Sequence, residues 1–196
     1  MAKLLYQGHG SFRVTTNDNT VIYVDPYAGE GYDLPADIIL VTHQHGDHNQ
    51  VDLVAKKENC KIIQNFEAIT DGKYHSFNVG NITINAVPAY NKNHDRNQCV
   101  GYILEFDGLK LYAAGDTSTT DEMKTFAELK LDYALLPIDG IYNMDAKEAT
   151  ACAEVIGARY SIPYHMKPGA LFDDQMAEKF TAKNRLVVRA GEEINL

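Results

Sequence analysis

The sequence predicts a mixed α/β fold in which two similar sheet-and-helix layers pack face to face. Three observations carry that expectation. Short strand-type apolar runs punctuated by Gly, Asn and Asp outnumber the helical stretches. Two of them, Asp37–Thr42 (DIILVT) and Asp132–Pro137 (DYALLP), are nearly continuous in apolar residues and suit strands buried on both faces. Each follows a strand that ends in Asp, Val21–Asp25 (VIYVD) in the first half and Leu111–Asp116 (LYAAGD) in the second, so the halves repeat one plan and bring equivalent strand ends to a shared edge.

The elements follow in order. Lys3–Tyr6, Ser11–Thr15 and Thr20–Asp25 read as strands, with Asn17-Asp18-Asn19 turning the second into the third. After the buried strand Asp37–Thr42, Val51–Glu58 reads as an amphipathic helix ending near Asn59. Strands are expected at Lys61–Gln64, Ile82–Val87, Val100–Phe106 and Leu109–Ala114, the last two joined by the hairpin dipeptide Asp107-Gly108. Thr119-Thr120-Asp121-Glu122 matches a capping box opening a helix to Leu129. Tyr133–Ile138 is a strand. Asp145–Ile156 places Ala149, Cys152, Ala153 and Ile156 at helical spacing before Gly157. Tyr160–Tyr164 is a strand, Asp173–Phe180 a short helix and Arg185–Arg189 a closing strand.

The 196 residues suit one domain, 1–196, made of two pseudo-repeated halves. A chain of this length buries roughly 70% of its unfolded surface, so it needs neither disulfide nor metal merely to stay folded. The net charge of −9 argues against a nucleic-acid partner, which requires Lys and Arg gathered on one face. The three cysteines, Cys60, Cys99 and Cys152, are far apart and lack CxxC spacing, and no apolar run reaches the ~18 residues of a membrane span. With no secretory leader at the start, the expectation is a cytoplasmic protein with reduced thiols and no membrane partner.

Chemistry concentrates at Thr42-His43-Gln44-His45-Gly46-Asp47-His48, where a buried strand ends. His43 and His45, two apart on extended chain, project to one side and can grip one ion. Gly46 allows a sharp turn, after which Asp47 and His48 face a second position. Four ligand-type side chains in six residues form a costly cluster unless a cation binds them. Asp116, at a strand end behind the small residues Ala113-Ala114-Gly115, is placed to bridge two ions, and His165 lies at another strand end in Ile162-Pro163-Tyr164-His165. His94, in the polar loop Ala89–Gln98, is the candidate to complete the first site, with His75 the fallback. Imidazole and carboxylate donors without thiolate best suit Zn, and also accept Mn or Fe.

These residues resemble the metallo-β-lactamase superfamily. The HxHxDH motif at 43–48, Gly115-Asp116 and the late His165 reproduce its motifs in order over nearly the whole chain. The similarity is closest to the small metal-dependent hydrolases related to ascorbate-6-phosphate lactonase, through Gly8-His9-Gly10-Ser11, Val24-Asp25-Pro26, Gly115-Asp116-Thr117, Leu136-Pro137-Ile138 and Ile162–His165. The resemblance implies a four-layer αββα sandwich with its metals at one edge. It implies a first divalent ion on His43, His45 and His94, a second on Asp47, His48 and His165, and Asp116 bridging both. Asp25 matches a carboxylate that supports the ligand loop, Thr42 an assisting hydrogen-bonding group, and His9 either a residue lining the site or a structural residue of the opening hairpin. Many relatives carry the third histidine directly after Pro-Ala, whereas Pro88-Ala89 here precedes Tyr90-Asn91, which implies a longer, reshaped loop over the site.

The implied activity is hydrolysis, in which water activated by the ions attacks a small-molecule lactone, ester, amide or phosphoester while Asp47 or Asp116 orients it and takes its proton. Alternatives are a nuclease or phosphodiesterase of the same fold, a di-iron redox protein, and a metal-binding protein without turnover. Lys92 and Arg96 beside His94 read either as an anion-binding pair or as a solvated face. The loops after Asp25, Ala89 and Pro168, bearing Tyr27, Tyr32, Tyr90 and Phe172, are expected to shape the pocket.

Overall fold

The computed structural model describes residues 1–196. The first half contributes β1 (Lys3–Gly8), β2 (Ser11–Thr15), β3 (Val21–Val24), β4 (Ala36–Val41) and β5 (Lys56–Gln64). A short α1 (Asn65–Ala68) and the small hairpin β6 (Ile69–Thr70) and β7 (Lys73–Tyr74) lead into β8 (Ser76–Val79), β9 (Ile82–Pro88), β10 (Val100–Phe106) and β11 (Leu109–Ala113). Then come β12 (Tyr133–Pro137), α2 (Ala146–Ile156), β13 (Tyr160–Tyr164), α3 (Asp174–Lys179) and β14 (Glu193–Asn195).

The strands form two six-stranded sheets, ordered β14-β1-β2-β3-β4-β5 and β13-β12-β11-β10-β9-β8. Their pairing repeats. In the first, β1, β2 and β3 are antiparallel neighbours, then β4 and β5 run parallel to β3. In the second, β9, β10 and β11 are antiparallel, then β12 and β13 run parallel to β11. The parallel strands β3, β4, β11, β12 and β13 therefore end on one edge, which is where the sequence places Asp25, His43, Asp116, Asp139 and His165. The hairpins form at the expected turns, Asp107 and Gly108 both adopting positive φ between β10 and β11.

The inner faces of both sheets share one apolar cluster, including Tyr6, Phe12, Ile22, Leu40 and Ile63 from one and Ile84, Tyr102, Leu104, Leu135 and Ile162 from the other. The outer face of the second sheet packs Tyr112, Ala134 and Leu136 against Met123, Phe126, Ala149, Cys152, Ile156 and Phe180 from its helices. Asp145 caps α2 by accepting from Glu148 N, and Gly157 ends it. No helix is long and apolar enough to cross a membrane.

Three local expectations are corrected. Val51–Glu58 is not a helix: Val51–Leu53 makes one 3₁₀ turn, and the chain then joins the sheet as β5, with Lys57 paired to Asp37. Parallel pairing to β4 outweighs a weak amphipathic pattern, and the outer layer over the first sheet is a small cluster of Tyr23, Ile39 and Val54 beneath loops. Glu122–Leu129 is 3₁₀ rather than α, and no capping box forms, because Glu148 accepts from Thr119 N while Glu122 is drawn to Arg96. Arg185–Arg189 makes only an isolated bridge, Arg185 to Ser161. The closing strand is β14, which covers the open edge of β1.

Candidate metal centre

The site forms where both halves end their parallel strands, on backbone that is unusual in itself. His9, Asp25 and His165 all adopt positive φ, uncommon for side-chain-bearing residues, and all three are buried. Gly115 has φ 66, and a Cβ there would lie 2.8 Å from Val100 O and 3.1 Å from Thr42 Cβ, so only glycine lets β11 turn against the histidine loop. At Gly10 a Cβ would sit 2.7 Å from His48 Cε1, so the β1–β2 turn closes the floor of the site.

Asp116 lies at the centre. Its Oδ1 is 3.4 Å from both His48 Nε2 and His165 Nε2, while its Oδ2 is 3.3 Å from His94 Nε2 and 3.9 Å from His43 Nε2. His45 approaches from the rim, its Nδ1 3.0 Å from His43 Nε2. Ligand-type atoms of His43, His45 and His94 lie within 4.8 Å of one another, as do those of His43, His48 and Asp116, and those of His9, Asp47, His48 and His165. The structure thus brings together every residue the sequence named for the two ion positions, and leaves out His75, which pairs with Thr70 Oγ1 at 2.6 Å elsewhere.

Oxygens hold the far side of the rings. Asp25 Oδ1 accepts from Thr42 N and its Oδ2 from Thr42 Oγ1, both at 2.7 Å, and Oδ2 also meets His48 Nδ1 at 2.9 Å. Because the Thr42 hydroxyl donates to Asp25, its oxygen is free to accept from His43 Nδ1 at 3.0 Å. His165 Nδ1 is 3.1 Å from Asp139 Oδ2, within ion-pairing range though off the line of a hydrogen bond. His9 Nε2 meets Asp47 Oδ2 at 3.0 Å, its Nδ1 lies 3.3 Å from Ala170 O, and its ring stands 3.9 Å from that of His165. His9 therefore supports Asp47 from beneath rather than facing the centre.

Charge follows this geometry. Burial would raise the Asp116 carboxyl, but His48, His165, His43 and His94 outweigh it and hold it below the ordinary carboxylate value. Burial opposes a proton on His48, yet Asp116 and Asp25 prevail and raise it to about 9; His165 is raised likewise by Asp116 and Asp139 against its burial. His43 and His94 are lowered, chiefly by burial. The hydrogen bond from His9 is the main cause of the lowered Asp47. Asp139 is lowered because His165 and the backbone N–H groups of Tyr142 and Ile141 outweigh its burial.

This donor set fits divalent cations. His48 Nε2, His165 Nε2 and Asp116 Oδ1 are buried without a hydrogen-bond partner, an expensive arrangement unless a cation takes their electron pairs. All the donors are imidazole or carboxylate, as borderline or hard cations require.

Two cavities open onto the cluster. One of about 260 Å³ is bounded by His43, His45 and His94 with Gln44, Asn65 and Gln98, and one of about 330 Å³ by Asp47, Asp116 and His165 with Asn93, Tyr142 and Pro168. Neither is lined by Lys or Arg. Arg96 is paired with Glu122 and stacked 4.8 Å over Tyr90, and Lys92 lines a separate cavity, so neither serves as an anion clamp here. Loops after Ala89 and Pro168 do shape the pocket; Tyr27, Tyr32, Tyr90 and Phe172 line neither cavity, and Tyr142 does. Sequence reasoning missed Asp139 and Tyr142. The available signal was Asp139-Gly140 directly after a buried strand, the same context that singled out Asp116, but an Asp-Gly pair reads first as a turn.

Comparison with known proteins gives concordant results. A family model described as a beta-lactamase superfamily domain matches residues 3–165. A metal-dependent hydrolase of Pyrococcus furiosus is 31% identical over the full length of both chains. Among solved structures, a protein of Parabacteroides distasonis assigned as a metal-dependent hydrolase is 33% identical, with a TM-score of 0.76 over 94% of this chain and 91% of that one. A metallo hydrolase of the archaeon Ignicoccus hospitalis is 25% identical, with a TM-score of 0.78 over 98% and 97%.

Proposed function

Since the chain belongs to the beta-lactamase superfamily and is a metal-dependent hydrolase of the metallo-β-lactamase fold, we propose that it holds two divalent ions, Zn best matching the donors, and hydrolyses a small, uncharged, polar molecule such as a lactone, ester or amide. The observation that carries the reading is Asp116, whose two carboxylate oxygens face different pairs of histidines. His43, His45 and His94 would hold one ion, Asp47, His48 and His165 the other, and Asp116 both. Ions so held would supply Lewis acidity and make an attacking water acidic enough to ionise near neutral pH.

The chain's own residues do the rest. His48 and His165 turn Nε2 inward because Asp25 and Asp139 engage their Nδ1 atoms. Asp47 is half-exposed at the rim with Oδ2 tied to His9, leaving Oδ1 to orient the attacking water. Gln44, Asn65, Asn93 and Gln98 offer amide surface to the part of the substrate that does not react, and with no Lys or Arg in either lining an anionic substrate would have only the ions for counter-charge.

Elemental analysis of the purified protein, followed by assays on neutral lactones, thioesters, β-lactams and a phosphodiester, tests this. Two equivalents of metal and a hydrolysis reduced to background in His48→Ala and Asp116→Asn are expected. Unchanged turnover in both variants, or a protein that takes up no metal, overturns it.

A further inference from the structure

Asn91 belongs to no motif, yet its side chain is the most heavily bonded in the His94 loop. Its Oδ1 accepts from Asn93 N at 2.8 Å and His94 N at 3.1 Å, and lies 3.0 Å from His94 Nδ1. Its Nδ2 donates to Tyr142 O at 2.9 Å and reaches Asn143 Oδ1 at 3.4 Å. Asn93 Nδ2 donates to the same Tyr142 carbonyl, also at 2.9 Å.

This pattern settles two choices usually left open. The two backbone N–H groups require an acceptor, so the amide must present oxygen to them and nitrogen to the Tyr142 carbonyl. That oxygen also faces His94 Nδ1, which must therefore carry a hydrogen. A neutral His94 then has its lone pair on Nε2, the atom 3.3 Å from Asp116 Oδ2. The other end of Asn91 grips the loop following Asp139, whose Oδ1 accepts from Ile141 N and Tyr142 N and whose Oδ2 lies beside His165.

We propose that Asn91 is the positioning residue of His94, fixing its tautomer and ring direction and tying the His94 loop to the loop that orients His165. The proposal rests on the reading of His94 as a metal ligand only for its consequence, not for the tautomer itself. It accounts for the reshaped loop in this chain: with Tyr90-Asn91 after Pro88-Ala89, the histidine arrives late and needs a local group to aim it.

The test compares wild type with Asn91→Leu, which removes both ends of the contact, and Asn91→Asp, which keeps the acceptor. In protein stripped with chelator, long-range ¹H–¹⁵N correlation of the histidine rings reads the tautomer directly. Wild type and Asn91→Asp should show His94 protonated at Nδ1, and Asn91→Leu a mixture or Nε2–H. Competition with a chelator for Co²⁺ should show binding weakened about 10- to 100-fold in Asn91→Leu and largely recovered in Asn91→Asp. His94 protonated at Nε2 in wild type overturns the proposal, as does an Asn91→Leu protein with unchanged tautomer and affinity. If Asn91→Leu does not fold, the wild-type and Asn91→Asp spectra still decide. Unchanged Co²⁺ affinity in His94→Ala would instead remove His94 from the ligand set, a separate failure that the tautomer result does not share.

Discussion

Asp25 and His48 form a buried pair, Oδ2 to Nδ1 at 2.9 Å, in which both side chains are 1% exposed. The carboxylate is buried, and His48 and the Thr42 amide and hydroxyl take the place of bulk solvent around it. Asp25→Ala would leave all three donors facing a void. Breaking a buried pair by removing one partner typically costs about 3–5 kcal/mol. Urea melts of stripped protein should show a loss of that order. Asp25→Asn retains one acceptor and tolerates positive φ, so it should fold, and its metal affinity should fall about 10- to 100-fold. A melt of Asp25→Ala within about 0.5 kcal/mol of wild type, the effect of an ordinary surface substitution, would remove this pair from the framework of the site.

The two histidines weighed for the third position of the first ion are separable by metal content. His94 Nε2 faces Asp116, whereas His75 is bound to Thr70 at the small β6–β7 hairpin. His94→Ala should lower bound metal by up to one equivalent, and His75→Ala should leave the content unchanged, both read by elemental analysis after gel filtration. Equal losses in the two variants would mean that the cluster is not what binds the metal.

How much of this was legible in the sequence depends on how local the cause was. The hairpin Asp107-Gly108 and the α2 boundaries at Asp145 and Gly157 are specified within a few residues and appear as the sequence indicates, and the short spacing of the HxHxDH run brings His43 and His45 together. Lys61–Gln64 is a strand as the sequence indicates, but the start of β5, Lys56–Cys60, carries no fully buried residue and becomes strand only as an extension of the pairing with β4, which no local pattern encodes. Arg185–Arg189 carries a short strand-type apolar run, Leu186-Val187-Val188, but lacks a neighbour beyond one bridge, while Glu193–Asn195, too short to notice, finds the free edge of β1. The same logic hid Asp139 and Asn91. Their roles arise from what two distant loops present to His165 and His94.

Glycine substitutions should separate backbone strain from crowding. Gly157 ends α2 at φ 65, and a Cβ there meets nothing closer than 3.8 Å, so Gly157→Ala should cost only the left-handed penalty of about 1–2 kcal/mol. Gly115 has nearly the same φ, but its Cβ would press on Val100 O and Thr42. Gly115→Ala should therefore cost more than Gly157→Ala in the same melt, and should also lower metal content, because Asp116 and the His43 loop must part. Equal costs with full metal content would show that the approach of β11 to Thr42 is not under constraint.

The thiols provide a test of packing both beneath the metal site and away from it. Cys99 and Cys152 are buried, and burial raises both; Cys152 is pushed up to about 12, while Cys99 also lies near the negative charges of Asp116 and Asp25. Because raising a thiol's pKa depletes its thiolate, Cys152 would hold on the order of 10⁻⁴ of its population as thiolate at pH 8 even if reagent could reach it. Cys60, part-exposed on the edge strand β5, is raised by partial burial but remains accessible. An aromatic disulfide reagent at pH 8 should thus titrate one thiol in the folded protein and three in guanidinium. Loading with metal should slow Cys99 further, since its Sγ donates to the Asp116 carbonyl at 3.3 Å and can react only when that strand end opens. Two rapid thiols in the folded, loaded protein would mean that the floor of the site opens far more readily than its packing implies.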